Sequence, residues 1–135
     1  MTKNYVYLTH RSRFSASHQL NNKTLSETEN QELFGKCTHI HGHNFELFVT
    51  LKDTPRKKTG MILNVAKIKE IIEKYIINEF DHNHLNQIIE FNNVLPTTEN
   101  LCIVIWNRLK PHFKEQLYKI SVKETENIQA SYKGE

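Results

Sequence analysis

One thiol and three imidazoles fall within seven consecutive positions of this chain, in Cys37-Thr38-His39-Ile40-His41-Gly42-His43. If His41 opens a strand that continues through Phe45, Leu47 and Val49, His41 and His43 project from the same face. Two imidazoles so placed can share one metal ion. Gly42 between them adds no side chain to the opposite face, which suits a place where backbone or ligand comes close. A His-x-His pair by itself is commonly a surface or core detail. The reading changes with His18, which closes another strand-like run, Phe14-Ser15-Ala16-Ser17-His18, because an antiparallel neighbour would bring it alongside. Three neutral imidazoles without a fourth protein ligand describe an open tetrahedral site, the form of catalytic zinc, with one position free for a substrate oxygen. Cys37 sits on the loop feeding the strand.

The elements that must hold these groups follow from periodicity. Tyr5, Tyr7 and Phe14, among Val, Leu and Thr, predict a first strand running on to His18. Ser26-Glu27-Thr28-Glu29 has the form of a capping box opening a short helix through Leu33, within an otherwise polar excursion. The second strand ends in the charged turn Asp53 to Gly60, and Met61-Ile62-Leu63 reads as short and extended. Asn64 can cap a helix whose apolar positions Val65, Ile68, Ile71, Ile72, Tyr75 and Ile76 follow the helical period. A polar loop, Phe80 to Asn86, comes next, then a second long helix introduced by Pro96-Thr97-Thr98, with Leu101, Val104, Ile105 and Leu109 as its stripe. Leu117 to Lys123 and Ile128 to Tyr132 read as two strands joined like a hairpin. This order predicts one α+β domain over residues 1–135, a four-stranded antiparallel sheet with two helices packed on one face. Its exposed edges invite assembly through the sheet.

Composition narrows the function. Eighteen basic residues against 15 acidic ones give a net charge of +3, dispersed without a basic block. An anionic small molecule accounts for this as well as a nucleic acid would, and no nucleic-acid partner is expected. No apolar run is long enough to cross a bilayer, and Met1-Thr2-Lys3-Asn4 lacks the apolar segment of a signal peptide, so a cytoplasmic protein is expected. In a reducing compartment Cys37, beside histidines, reads as reactive, and Cys102, inside a helical stripe, as packing.

Taken in order, Phe14-Ser15-Ala16-Ser17-His18, Gly35-Lys36-Cys37, His41-Gly42-His43-Asn44, Gly60-Met61-Ile62, Asp81-His82, Pro96-Thr97-Thr98-Glu99-Asn100, Lys123-Glu124-Thr125 and Tyr132-Lys133-Gly134-Glu135 resemble the 6-pyruvoyl-tetrahydropterin and 6-carboxytetrahydropterin synthase family of tunnelling-fold proteins. The resemblance implies Zn2+ on His18, His41 and His43, and a substrate of the 7,8-dihydroneopterin triphosphate type. It implies that Cys37 is a general base and that His82, oriented by Asp81, is its partner. Zinc polarises the substrate's side-chain oxygens, and a thiol beside a cation and an imidazole can lose its proton near neutral pH. Glu124 resembles the residue that anchors the pterin through its N–H edge, since a carboxylate accepts two N–H groups in parallel. Thr98 and Glu99 resemble positions near the pterin, although a threonine cap and an early acid also suit a helix start. The family's assemblies imply a homohexamer of two stacked trimers, with subunit sheets joined in a barrel and active sites between subunits.

The branch within the family rests on small differences. Three residues separate Cys37 from His41, the shorter spacing, which resembles the 6-carboxytetrahydropterin synthases of the queuosine route that release triphosphate and acetaldehyde. Leu33 to Cys37 and the C-terminal motifs also look like the 6-pyruvoyltetrahydropterin synthases of the tetrahydrobiopterin route. The carboxy product is the preferred expectation and the pyruvoyl product its alternative. A reading of another class is a non-catalytic zinc-stapled assembly protein in which Cys37 is the fourth ligand.

Overall fold

The computed structural model describes residues 3–135. Met1 and Thr2, and with them the start of the polar N-terminus, lie outside the described residues. Two long strands form the spine: β1, Val6–His18, and β2, His41–Asp53, pair antiparallel in unbroken register from Val6 opposite Asp53 to His18 opposite His41. Between them Ser26 caps α1, Glu27–Phe34, through the expected box: its side chain accepts from Glu29 N while the Glu29 carboxylate accepts from Ser26 N. A single 3₁₀ turn, Gly35–Thr38, carries Cys37 from α1 towards β2.

Asn64 caps α2, Val65–Ile72, as its position predicts. The helix then widens into a π turn, Glu73–Ile77, and closes with α3, Asn78–Phe80. Ile68, Ile72, Ile76 and Phe80, spaced by fours, are all buried, and the wide turn lets residues at that spacing stay on one face. Val65, expected on the stripe, is exposed at the first turn, and Met61–Leu63 forms no strand although Ile62 is buried. Next come β3, Asn83–His84; α4, Thr98–Phe113; β4, Leu117–Thr125; and β5, Ile128–Tyr132.

The sheet has five strands in the order β3-β1-β2-β4-β5, not the four antiparallel strands expected. The additional strand is β3, two residues running parallel to β1 at Ala16 and Ser17. It is too short to show an alternating pattern, and its pairing depends on His82, whose positive φ of 60° turns the chain back along β1. The α2–α3 body and α4 cover one face, as expected. Phe14 stacks on Phe45 at 4.9 Å and meets Phe80 edge-on at 5.6 Å, three rings each fully buried. Each such ring stabilises the fold by roughly 2–3 kcal/mol through the apolar area removed from water. No helix among the described residues is long and apolar enough to cross a membrane.

Candidate active site

The inward alternation of the strands decides where the histidines go. Phe14, Ala16 and His18 on β1, and Leu47, Phe45, His43 and His41 on β2, point to the face covered by the helices, so the apolar stripe ends in three imidazoles. Ring centroids lie 4.6 Å apart for His18 and His41, 5.2 Å for His18 and His43, and 5.1 Å for His41 and His43. One nitrogen from each falls within 4.8 Å of the others. Two main-chain carbonyls set the tautomers: Nδ1 of His18 donates to Pro96 O, and Nδ1 of His41 donates to His39 O, each at 2.8 Å. A ring that donates from Nδ1 keeps the Nε2 lone pair for another partner. The buried Nε2 atoms of His18 and His43 have no hydrogen-bond partner, an arrangement a shared cation would satisfy. Burial pushes both groups below the ordinary imidazole pKa, with the Pro96 carbonyl opposing the shift at His18 and Glu124 opposing it at His43. The neutral, metal-binding form is therefore the stable one. The residues present fit a zinc ion. Gly42 serves this packing: a Cβ there would stand 3.2 Å from the Ala16 carbonyl oxygen.

Glu124 lies within β4, half-buried and on the histidine face, with Oε1 3.5 Å from His43 Nε2. Its other oxygen accepts the Thr98 hydroxyl at 2.5 Å. Thr97, not Thr98, caps α4, accepting from Asn100 N at 3.1 Å, so the buried Thr98 hydroxyl is free to hold the carboxylate. Glu99 is exposed in the first turn of α4.

Asp81 and His82 form a second group at the end of α3. The Asp81 carboxylate accepts from Ser15 N at 2.8 Å with Oδ1 and stands 3.0 Å from His82 Nδ1 with Oδ2. The Ser15 amide, more than His82, holds this carboxyl below its usual pKa, against the opposing effect of burial. His82 N–H donates to Ser15 O at 2.6 Å, and the imidazole is 83% exposed. Beside it, on the sheet face away from the helices, a cleft of about 440 Å³ is lined by Ser15, Ser17, Asn44, His82 and His84 among others. Cys37 is not among its lining residues, nor does its sulfur join the three-histidine group.

The family described as 6-pyruvoyl tetrahydropterin synthase matches residues 7–135. The chain belongs to this family. The 6-pyruvoyl tetrahydrobiopterin synthase of Dictyostelium discoideum is 41% identical over 131 residues, 96% of this chain and 97% of that one. The solved 6-pyruvoyl tetrahydropterin synthase of Caenorhabditis elegans superposes with a TM-score of 0.94 at 32% identity, covering 100% of both chains. The 6-carboxy-5,6,7,8-tetrahydropterin synthase of Rickettsia typhi is 29% identical over 92 residues, 56% of this chain and 67% of that one. The carboxy branch favoured by the Cys37–His41 spacing thus has the more distant support, and the pyruvoyl alternative the nearer.

Side chains are only part of the site. The carbonyls of Pro96 and His39 carry no sequence signal, because every residue has one. His84, which matched no expected position, places Nδ1 2.8 Å from the Ser17 hydroxyl and so tethers β3 to β1. Cys37 and Cys102 are both free thiols, and Cys102 is buried with its pKa pushed up to about 11 by that burial.

Proposed function

We propose that this protein is a 6-pyruvoyltetrahydropterin synthase acting on 7,8-dihydroneopterin triphosphate, eliminating the triphosphate and keeping the side-chain carbons. The observation that carries the reading is the convergence of His18, His41 and His43 on one point, with the Thr98-anchored Glu124 carboxylate next to it. Near-full-length similarity to synthases of that name supports the pyruvoyl product. Glu124 would accept the N–H groups of the pterin's pyrimidine edge, with Thr98 fixing the carboxylate's rotation. Zinc on the three histidines would supply a Lewis acid that polarises the oxygens of the substrate side chain. Cys37 would take a proton from the carbon so acidified, and His82, held by Asp81, would exchange protons with it and with the substrate.

Within one chain the His82 imidazole is mostly in solvent. Exposed Leu33 and Ile40 flank the segment that carries Cys37. Both features support a homohexamer in which a neighbouring copy covers Cys37 and brings Asp81 and His82 to it. A second reading, the carboxy product, is favoured by the three-residue interval between Cys37 and His41. Incubating zinc-supplied protein with 7,8-dihydroneopterin triphosphate and identifying products by mass spectrometry separates these. A pyruvoyl pterin without acetaldehyde is the expected result; acetaldehyde with a carboxypterin would replace it by the second reading, and an unconverted substrate would reject both.

A further inference from the structure

Arg108 lies on α4, far along the helix from Thr98, with its side chain only 15% exposed. All five of its N–H donors are used. Nε and Nη2 donate to the two oxygens of Glu90, each at 2.6 Å; Nη1 and Nη2 donate to the two oxygens of Glu79, at 2.5 and 3.1 Å; and Nη1 also donates to Tyr75 O at 3.1 Å. The guanidinium carbon stands 5.1 Å from the centroid of the Phe80 ring. A lysine has neither the planar fork nor the donors for such a junction.

The contacts are concentrated where the chain approaches Asp81. Tyr75 belongs to the π turn, whose wide hydrogen-bonding pattern leaves carbonyls available to outside donors, and Glu79 and Phe80 are the last helical residues before Asp81. From Phe80 the path runs between two supports: on the helix side Asp81 N–H donates to Ile77 O at 2.9 Å and Asn83 Nδ2 to Glu79 O at 2.6 Å, and on the strand side Ser15 holds Asp81 and His82 before β3 pairs with β1. An exposed imidazole at positive φ has little packing of its own to orient it. Its direction is set by the helix end on one side and the β1 main chain on the other, and of these Arg108 grips the helix end.

We propose that Arg108 is a positioning residue for His82: by clamping Tyr75, Glu79 and Phe80 it fixes the π-widened end of the helix, so that Asp81 meets His82 Nδ1 in a single orientation. This rests on the proposed synthase activity, in which His82 handles protons. Arg108 touches none of the three histidines, Glu124 or Cys37, so its effect reaches the chemistry only through residues 79–82.

The two carboxylates it grips separate positioning from stability. Glu79 continues directly into the Asp81–His82 segment, whereas Glu90 belongs to the 3₁₀ turn Ile89–Asn92 on a different stretch. In the full-length protein, Arg108→Lys and Glu79→Gln are expected to lower kcat by about 10- to 100-fold, with KM changed less than about twofold and zinc content unchanged. Glu90→Gln is expected to lower the Tm while leaving kcat within about threefold of wild type. Long-range nitrogen NMR of imidazole-labelled protein should show His82 as the Nδ1–H tautomer in wild type and as a tautomer mixture in Arg108→Lys and Glu79→Gln. The proposal is overturned if Arg108→Lys retains kcat and the wild-type tautomer, or if Glu90→Gln loses as much turnover as Glu79→Gln. Should Arg108→Lys not fold, Glu79→Gln against Glu90→Gln decides by the same criteria. Absence of turnover in the wild type would reject the synthase reading, and the NMR comparison, which needs no substrate, would still decide the clamp.

Discussion

The three-histidine centre and the Asp81–His82 pair both meet strand β1, the first through His18 and the second through Ser15, yet they are built in opposite ways. The histidines end a buried apolar stripe, with His18 held by the Pro96 carbonyl and only 1% exposed. The pair hangs from Ser15 on the other side of the same strand, and its imidazole is mostly in solvent. Rigid packing suits a group that must keep a cation's donors in place, whereas a group that moves protons can stand at the surface until something covers it. The difference predicts that damage to the histidines costs both metal and turnover, whereas damage to the second region lowers turnover with the metal retained.

The sharpest way to break this comparison is His18→Ala. It removes one of three ligands and leaves two, so zinc bound after dialysis, measured by elemental analysis, should fall well below one per chain. Turnover should drop by about 10³-fold or more, since a Lewis acid held there would lower the barrier by several kcal/mol. Retained stoichiometric zinc would mean that the cluster is not the metal centre. Cys37→Ala should cost about 10²- to 10⁴-fold in kcat, the range of a general base, with full zinc content. Loss of zinc in that variant would return Cys37 to the ligand set. A mixture of inactive Cys37→Ala and His82→Ala chains, dissociated and reassembled together, should recover turnover in mixed assemblies if the two residues meet between copies. No recovery above the separate variants would place the whole proton relay within one chain.

How much of this was readable beforehand follows the same division. His41 and His43 are two apart on a strand, and His18 closes the facing strand, so periodicity and antiparallel pairing were enough to bring them together. The core face, the α1 capping box and the Asn64 cap were legible for the same local reasons. β3 was not, because a two-residue strand has no period and its partner is chosen by the turn at His82. Glu124 was expected just past a strand and lies inside one; only its resemblance to a pterin anchor singled it out, since the inward-facing position depends on the β2–β4 register. That Thr97 takes the cap and leaves Thr98 for Glu124 could not be decided from two adjacent threonines.

A smaller effect sharpens the substrate end of the buried region. Glu124→Gln keeps one acceptor oxygen but replaces the other by an amide donor, which would oppose a pterin N–H. The lost charge-assisted bond is worth about 1.5–3 kcal/mol, so kcat/KM should fall by roughly 10- to 100-fold while zinc remains bound. Unchanged steady-state constants would move the pterin anchor elsewhere.

The smallest effect concerns stability and its pH dependence at Asp81. The folded carboxyl titrates below its unfolded value, because the Ser15 amide stabilises the charged form. Its contribution is therefore complete above the unfolded value of about 3.9 and is lost as pH falls through the lowered folded value. Asp81→Asn keeps an oxygen for the Ser15 N–H, removes the charge and turns an amide donor towards His82 Nδ1. The carboxylate side chain is 36% exposed, so solvent screening holds the difference to about 1 kcal/mol or less, a few degrees in Tm. Wild type should exceed Asp81→Asn by that margin at pH 6, and the two melting curves should converge as the acid range is entered. A margin that stays constant from pH 6 to pH 3 would show that the Ser15 bond does not depend on the charge. The Asp81–His82 group would then be held by backbone geometry alone, as rigidly as the histidine centre, and the contrast between the two regions would disappear.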